Sequence, residues 1–177
     1  MRLINSCRWP VVAALLSVAL LSSRPAFAEP EEEAGDTRWK EAQVEMPPLP
    51  QAENLLPIYV SAATQNEFFV DGTSLTVTAD GVVRYVLVIR SPGGATNISF
   101  EGMRCETRER RIYASGRPDG SWSKSRGEDW KRIRDAGANR YHAALFGDYF
   151  CPEGVIARNV EEARDALRQG RHPESRR

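Results

Sequence analysis

The chain has 177 residues, with 24 basic against 24 acidic side chains, 41% hydrophobic residues and three cysteines. Beyond its N-terminal segment this is the length of one domain with one core. No apolar run after residue 28 approaches the 20 or so residues of a membrane-spanning helix, so a transmembrane segment is excluded from that part.

Residues 1–28 have the build of a secretory signal peptide. Arg2 and Arg8 supply a positive n-region, residues 11–21 a short apolar stretch, and Ala26-Phe27-Ala28 a small-x-small cleavage pattern. Arg24 and Pro25 interrupt the apolar run, which argues against an uncleaved anchor. Cys7 lies ahead of that run and Glu29 stands at the cleavage point, where a lipoprotein needs cysteine. The expectation is an exported, periplasmic protein without a lipid anchor. Cleavage leaves 21 bases against 24 acids, and two cysteines, Cys105 and Cys151. An even pair in an oxidising compartment reads as a disulfide, with two buried free thiols as the alternative.

Residues 29–37 are acidic with almost nothing to bury and read as a disordered leader. A single exported domain is expected over 38–170. Residues 38–44 read as a short, helix-compatible piece carrying Trp39, which is expected to plug onto the domain. Met46-Pro47-Pro48-Leu49-Pro50 must be extended, because proline fixes its own φ and restricts its predecessor. Strand patterns begin at Ile58-Tyr59-Val60 and Phe68-Phe69-Val70. Leu75, Val77 and Ala79 alternate with threonines, and Asp80-Gly81 follows, a signal for a type I′ hairpin turn.

The next strand, 82–90, carries apolar residues on both faces and reads as the central one. Ser91-Pro92-Gly93-Gly94 suits a type II turn. In the strand over 95–105, Ile98 and Phe100 are taken as inward and Glu101 as outward. Met103 and Cys105 then break the alternation, and a bulge at Gly102 is expected to restore it. A further strand covers 110–115, and Pro118-Asp119-Gly120 turns the chain into a short return strand at Ser121-Trp122-Ser123. Helical spacing appears after Gly127. Asn139 is a candidate cap, with Gly147 ending the first helix. Asn159 caps the clearest helix, which ends at Gly170. Residues 171–177 read as a loose tail. The expected class is α+β: an antiparallel β-meander of about five or six strands, covered by short C-terminal helices and tied by one disulfide.

Catalytic signatures are scarce. The chain has no H-E-x-x-H, C-x-x-C, G-x-S-x-G, Walker or G-x-G-x-x-G pattern, and no cofactor is expected. His142 stands as a lone candidate base or packing residue, and His172 falls in the tail. Ser121-Trp122-Ser123-Lys124 fits S-x-x-K but follows a turn and lacks its companion motifs. Asp80 and Glu101 show no spacing that pairs them as a glycosidase requires. Asn97-Ile98-Ser99 fits a glycosylation sequon inside a strand pattern. Charge is the less accidental feature. Residues 29–80 hold 11 acids and 2 bases, and residues 104–134 hold 10 bases and 5 acids. Arg104, Arg108, Arg110, Arg111, Trp122, Lys124, Arg126, Trp130 and Lys131 form a basic and aromatic band, with Arg117, Arg132 and Arg134 adding to its charge. Outside the cytoplasm such a band suits a partner protein or an anionic envelope component rather than nucleic acid. Its structural alternative is a solvated hairpin neutralised by the acidic arm. Arg84, Arg90 and Glu101 are a second candidate patch.

Val82-Val83-Arg84-Tyr85, Asn97-x-Ser99-Phe100-Glu101-Gly102-x-Arg104-Cys105 and Asp148-Tyr149-Phe150-Cys151-Pro152 carry a likeness. Across roughly 39–170 the chain resembles the uncharacterised proteobacterial envelope proteins typified by the cryptic neisserial protein. The resemblance implies export to the periplasm and supplies no catalytic residues. Some members are thought to be lipoproteins, which the residue at position 29 does not support here. The reading is therefore a non-enzymatic binding or structural module of the envelope, the alternative being a small periplasmic hydrolase using His142 or Ser121.

Overall fold

The computed structural model describes residues 39–127, 129–136 and 140–175. The signal, its cleavage site, the acidic leader and the expected cap Asn139 lie outside them. Among the described residues, eight strands form one antiparallel sheet: β1 (Leu55–Ile58), β2 (Glu67–Asp71), β3 (Thr76–Val77), β4 (Val82–Arg90), β5 (Thr96–Arg104), β6 (Glu109–Gly116), β7 (Trp122–Lys124) and β8 (Lys131–Arg132). The path is β1-β2-β4-β5-β6-β7, with β3 paired to β4 and β8 to β6. Eight strands are two more than the expected six, and β3 and β8 have only two residues each. β3 shares an edge of β4 with β2, and β8 shares an edge of β6 with β7. β3 lies within the alternation read at residues 75–79, whereas β8 falls where helical spacing is expected after Gly127 and is too short to carry a period of its own.

Three hairpin loops share one hydrogen-bond pattern. Gly81 donates to the Thr78 carbonyl while Thr78 N–H donates to Val82; Gly94 and Ser91, then Gly120 and Arg117, repeat it. Only the closing glycine of each loop has positive φ. These are three-residue loops closed by a left-handed glycine, not the type I′ turn expected at Asp80 or the type II turn expected at Gly93.

The sheet is packed on both faces. Val83, Tyr85 and Leu87 of β4 and Met103 of β5 enter a core shared with Leu145, Tyr149, Phe150, Ala163 and Leu167. Val86, Val88 and Phe100 form a second cluster on the opposite face, with Val44, Ile98, Tyr113 and Trp122 packed against it. The alternation along β5 therefore never slips. Glu101, Met103 and Cys105 face the helices, and Ile98, Phe100 and Gly102 face the other way. The expected bulge at Gly102 lies elsewhere. Phe100 pairs with Ala114 and Glu101 with Ile112, so Tyr113 of β6 is the extra residue.

Gly102 serves that bulge by being empty. A Cβ there would lie 2.4 Å from the Tyr113 hydroxyl oxygen and 2.9 Å from its ring. The ring is held against Phe100, with centroids 5.1 Å apart. Gly102→Ala is expected to destabilise by about 1–3 kcal/mol through overpacking. Urea unfolding of the single variant and of Gly102→Ala/Tyr113→Leu checks this, with recovery in the double variant assigning the cost to the clash.

On the other side, α1 (Arg140–Ala144) runs on through a wider π-helical turn, Leu145–Phe150. Gly147 lies inside that turn and does not end the helix. α2 (Val160–Arg168) begins at Asn159, whose side chain accepts from Glu162 N–H at 2.9 Å. Cys105 and Cys151 are both buried and joined as a disulfide, with Cα atoms 5.5 Å apart. Residues 171–175 are docked rather than loose. His172 N–H donates to the Asp148 carbonyl at 2.6 Å, and the His172 side chain is buried.

Residues 39–50 form an extended strap across the second face. Trp39 Nε1 donates to the Asp80 carbonyl at 2.6 Å, and Ala42 N–H donates to the Asp80 carboxylate at 2.8 Å. Trp122 Nε1 reaches the Pro47 carbonyl at 2.8 Å. Trp39 is thus the expected plug, but without a helix: the Asp80 side chain takes a backbone donor, and the prolines that follow keep the strap extended.

Candidate anion-binding site

The fold divides the basic band in two. Arg104, Arg111, Trp122 and Trp130 are engaged by the strap. The Arg104 guanidinium lies 4.1 Å from the Trp39 ring centroid, and Trp130 meets Trp39 edge-on at 5.7 Å. Glu41 of the strap accepts from Arg111 at 2.8 Å, from the Tyr113 hydroxyl and from Arg84. This is the neutralisation by the acidic arm that the charge asymmetry allowed for. Arg108 is paired with Asp135 and lies over the Phe146 ring. Lys124 and Arg126 are exposed at and after β7.

Four further cations converge. Arg110, Lys131, Arg132 and Arg134 line a cavity of about 430 Å³ with His142. Among the described residues, no carboxylate lies within salt-bridge distance of any of the four. Arg110 and Lys131 are opposite one another in the β6/β8 ladder. Like charges directly opposite across strands cost stability, of the order of 0.2–1 kcal/mol. Glu109 stands opposite Arg132 in the same ladder and Arg110 acts electrostatically on the buried Glu101, so four cations are set against two carboxylates and an anion complements the excess.

His142 is only 1% exposed. Helix α1 places it over β5, where its Nε2 lies 2.7 Å from Glu101 Oε2. Glu101 is equally buried and accepts from Ser99 Oγ at 2.6 Å and from the Tyr85 hydroxyl at 3.3 Å. Burial by itself raises the Glu101 pKa, but the hydrogen bonds from His142 and Ser99 and the field of Arg110 outweigh it and hold the carboxyl below its usual range. Burial and the nearby Glu101 charge push Tyr85 well above the phenol range, so it stays a neutral donor. His142 and Glu101 thus form a buried pair held by a single short hydrogen bond through Nε2. His142 Nδ1 is buried with no hydrogen-bond partner.

The second candidate patch is not assembled. Arg84 lies on the strap face, paired with Asp80 at 2.7 Å, and Glu101 lies on the helix face. Arg90 sits at the end of β4 over the Phe69 ring, 4.8 Å away. Asp80 and Glu101 are likewise on opposite faces and form no catalytic pair. Ser121 Oγ donates to Asp119 at 2.6 Å within the β6/β7 loop, and no histidine is among its partners. The residues lining the His142 cavity include no serine, threonine or cysteine. Among the described residues, no three of His, Cys, Asp and Glu gather as a metal site. A larger cavity of about 640 Å³ lies beneath the strap, where the Arg84 charge is already matched by Asp80 and Glu41.

Sequence reasoning missed the contact of His142 with Glu101. Its signal was present in the period of two: Glu101, Met103 and Cys105 share a face if no bulge is placed between them.

The CNP1-like family profile matches residues 34–168. Cryptic neisserial protein 1 of Neisseria gonorrhoeae (strain ATCC 700825 / FA 1090) is 31% identical over 147 residues, covering 74% of this chain and 72% of that protein. No solved structure gives a significant match.

Proposed function

The chain belongs to the CNP1-like family, and on that premise we propose that it is an exported, periplasmic, non-enzymatic module that binds an anionic component of the envelope. The binding surface is the unpaired part of the basic band, Arg110, Lys131, Arg132 and Arg134. The observation that carries this reading is their convergence on one cavity with no carboxylate within salt-bridge distance among the described residues, Glu109 opposite Arg132 included. Residues spent on the strap, such as Arg104 and Arg111, support the fold instead. The signal-like segment 1–28 supports export.

Co-sedimentation with vesicles of phosphatidylglycerol against neutral phosphatidylcholine tests the reading. Binding is expected to the anionic vesicles alone and to weaken with salt, because exposed charges are screened beyond about 8–10 Å at physiological ionic strength. Each basic residue near an anionic surface contributes about 1 kcal/mol, so Lys131→Gln/Arg132→Gln should weaken binding about 30-fold. Lys124→Gln/Arg126→Gln, outside the cavity, should weaken it much less. Equal losses from the two pairs, or binding indifferent to salt, would point to a different surface or a protein partner.

A further inference from the structure

We infer that the cavity beneath the strap is a binding site for a small neutral saccharide, whose hydroxyl groups donate to the Asp71 carboxylate. The cavity lies on the face of the sheet opposite His142 and the four cations. The inference therefore does not depend on the anion-binding reading.

The cavity holds about 640 Å³ between the strap and the sheet, which is within the range of small-molecule sites. Asp71 ends β2 and lines it, yet is only 2% exposed. Its Oδ1 accepts from the Thr73 N–H at 3.0 Å and from the Thr73 hydroxyl at 2.7 Å. Its Oδ2 has no partner among the described residues. Of the described lining residues, only Arg84 has an unpartnered side-chain atom sealed from solvent, its Nε, so Asp71 Oδ2 keeps accessible surface. A buried polar atom without a partner asks for an explanation. A carboxylate oxygen only accepts, so the missing partner is a donor. The lining does not supply one as a cation: Arg84, its one base, is taken by Asp80 at 2.7 Å and Glu41 at 3.3 Å.

The neighbours of Asp71 decide which donor fits. The side-chain amides of Gln43, Gln51 and Asn54 and the hydroxyl of Thr76 line the same cavity, and none of them is hydrogen-bonded to another described residue. Amides and hydroxyls both donate and accept. An ammonium ion would satisfy Asp71 but only donates, and would leave the amide N–H groups unmet. An oxyanion only accepts and would be repelled by Asp71. Sugar hydroxyls donate and accept at close spacing and meet all of these groups. Pro47, Leu49 and Phe100 add an apolar wall, which complements the C–H face of a pyranose ring.

Saturation-transfer NMR and isothermal titration of the intact protein with cellobiose, maltose and N,N′-diacetylchitobiose test this. At least one should bind, with the same affinity at low and high salt, because the ligand carries no charge to be screened. Asp71→Asn keeps an acceptor for Thr73 and should weaken binding about tenfold to a hundredfold, the usual effect of a hydrogen bond to a charged group. Gln51→Ala, at an exposed position, should weaken it about two- to tenfold. Lys131→Gln/Arg132→Gln should leave it unchanged. If Asp71→Asn does not fold, Gln51→Ala and the shape-conserving Thr76→Val decide. No binding of any of the three sugars at millimolar concentration would overturn the inference, as would binding indifferent to all the cavity variants. Preferential binding of n-butylammonium would overturn it too, and would make the cavity an amine site.

Discussion

Cys151→Ser is expected to lower stability by about 4 kcal/mol, because the bridge to Cys105 closes a loop of 46 residues of sequence separation. For a domain of this size that corresponds to a fall in Tm of roughly 10–20 °C. The bridge joins the end of β5 to the residue after the π-helical turn, so it ties the sheet to the helical layer that carries His142. Its loss frees the unfolded chain far more than it removes native contacts, since both cysteines are buried among apolar neighbours. Serine also places a hydroxyl in that apolar setting, so Cys105→Ala/Cys151→Ala isolates the contribution of the bond. Calorimetric melting of the oxidised, reduced and double-alanine forms checks this. Reduced and double-alanine proteins should melt alike and well below the oxidised one.

Glu101→Ala should cost as much, about 3–5 kcal/mol, although it removes only one side chain. The loss strands two buried groups, His142 Nε2 and the Tyr85 hydroxyl, together with the half-buried Ser99 hydroxyl. Leaving partners unsatisfied is the expensive part, at about 1–3 kcal/mol for each buried polar group. Glu101→Gln keeps an acceptor and should cost less. The pH dependence follows from the direction of the shift. The folded-state pKa lies below the usual 4.5, so the unfolded chain holds more proton over that interval. The contribution of Glu101 is therefore complete above about pH 5 and is lost as pH falls through 4.5 toward the lower folded value. Urea unfolding of wild type and Glu101→Gln at neutral and acid pH should show the gap between them narrowing in acid. A constant gap would mean that Glu101 is not held as the carboxylate.

Much of this site was present in the chain but not as a site. Arg110 and Lys131 are twenty-one residues apart and belong to an evident basic band. What separates them from Arg104 and Arg111 is which face of β6 and β5 they occupy, and the direction in which the strap runs. Arg111 has Glu41 and Arg104 has Trp39; Arg110 and Lys131 have each other. A count of charges along the chain cannot distinguish these cases, because pairing is decided across seventy residues of sequence. The misplaced bulge had a local cause. Met103 and Cys105 differ in phase from Ile98 and Phe100, and one core on one face cannot accommodate both sets. Two apolar clusters, one on each face, accommodate both without a slip.

The sequence by itself determined the antiparallel class, the central place of β4, the positions of the hairpin loops, the cap of α2 and the cysteine pair. Each of these is a local matter: a period of two, a glycine free to take positive φ, an asparagine before a helix, two thiols available to one another. Only the tertiary structure decided that the strap covers the second face, that Glu101 is buried against His142, and that four cations are left facing one cavity. Those outcomes depend on which surfaces meet when a strap, a sheet and a helical layer close together, and contacts over such separations leave no period or motif in the chain.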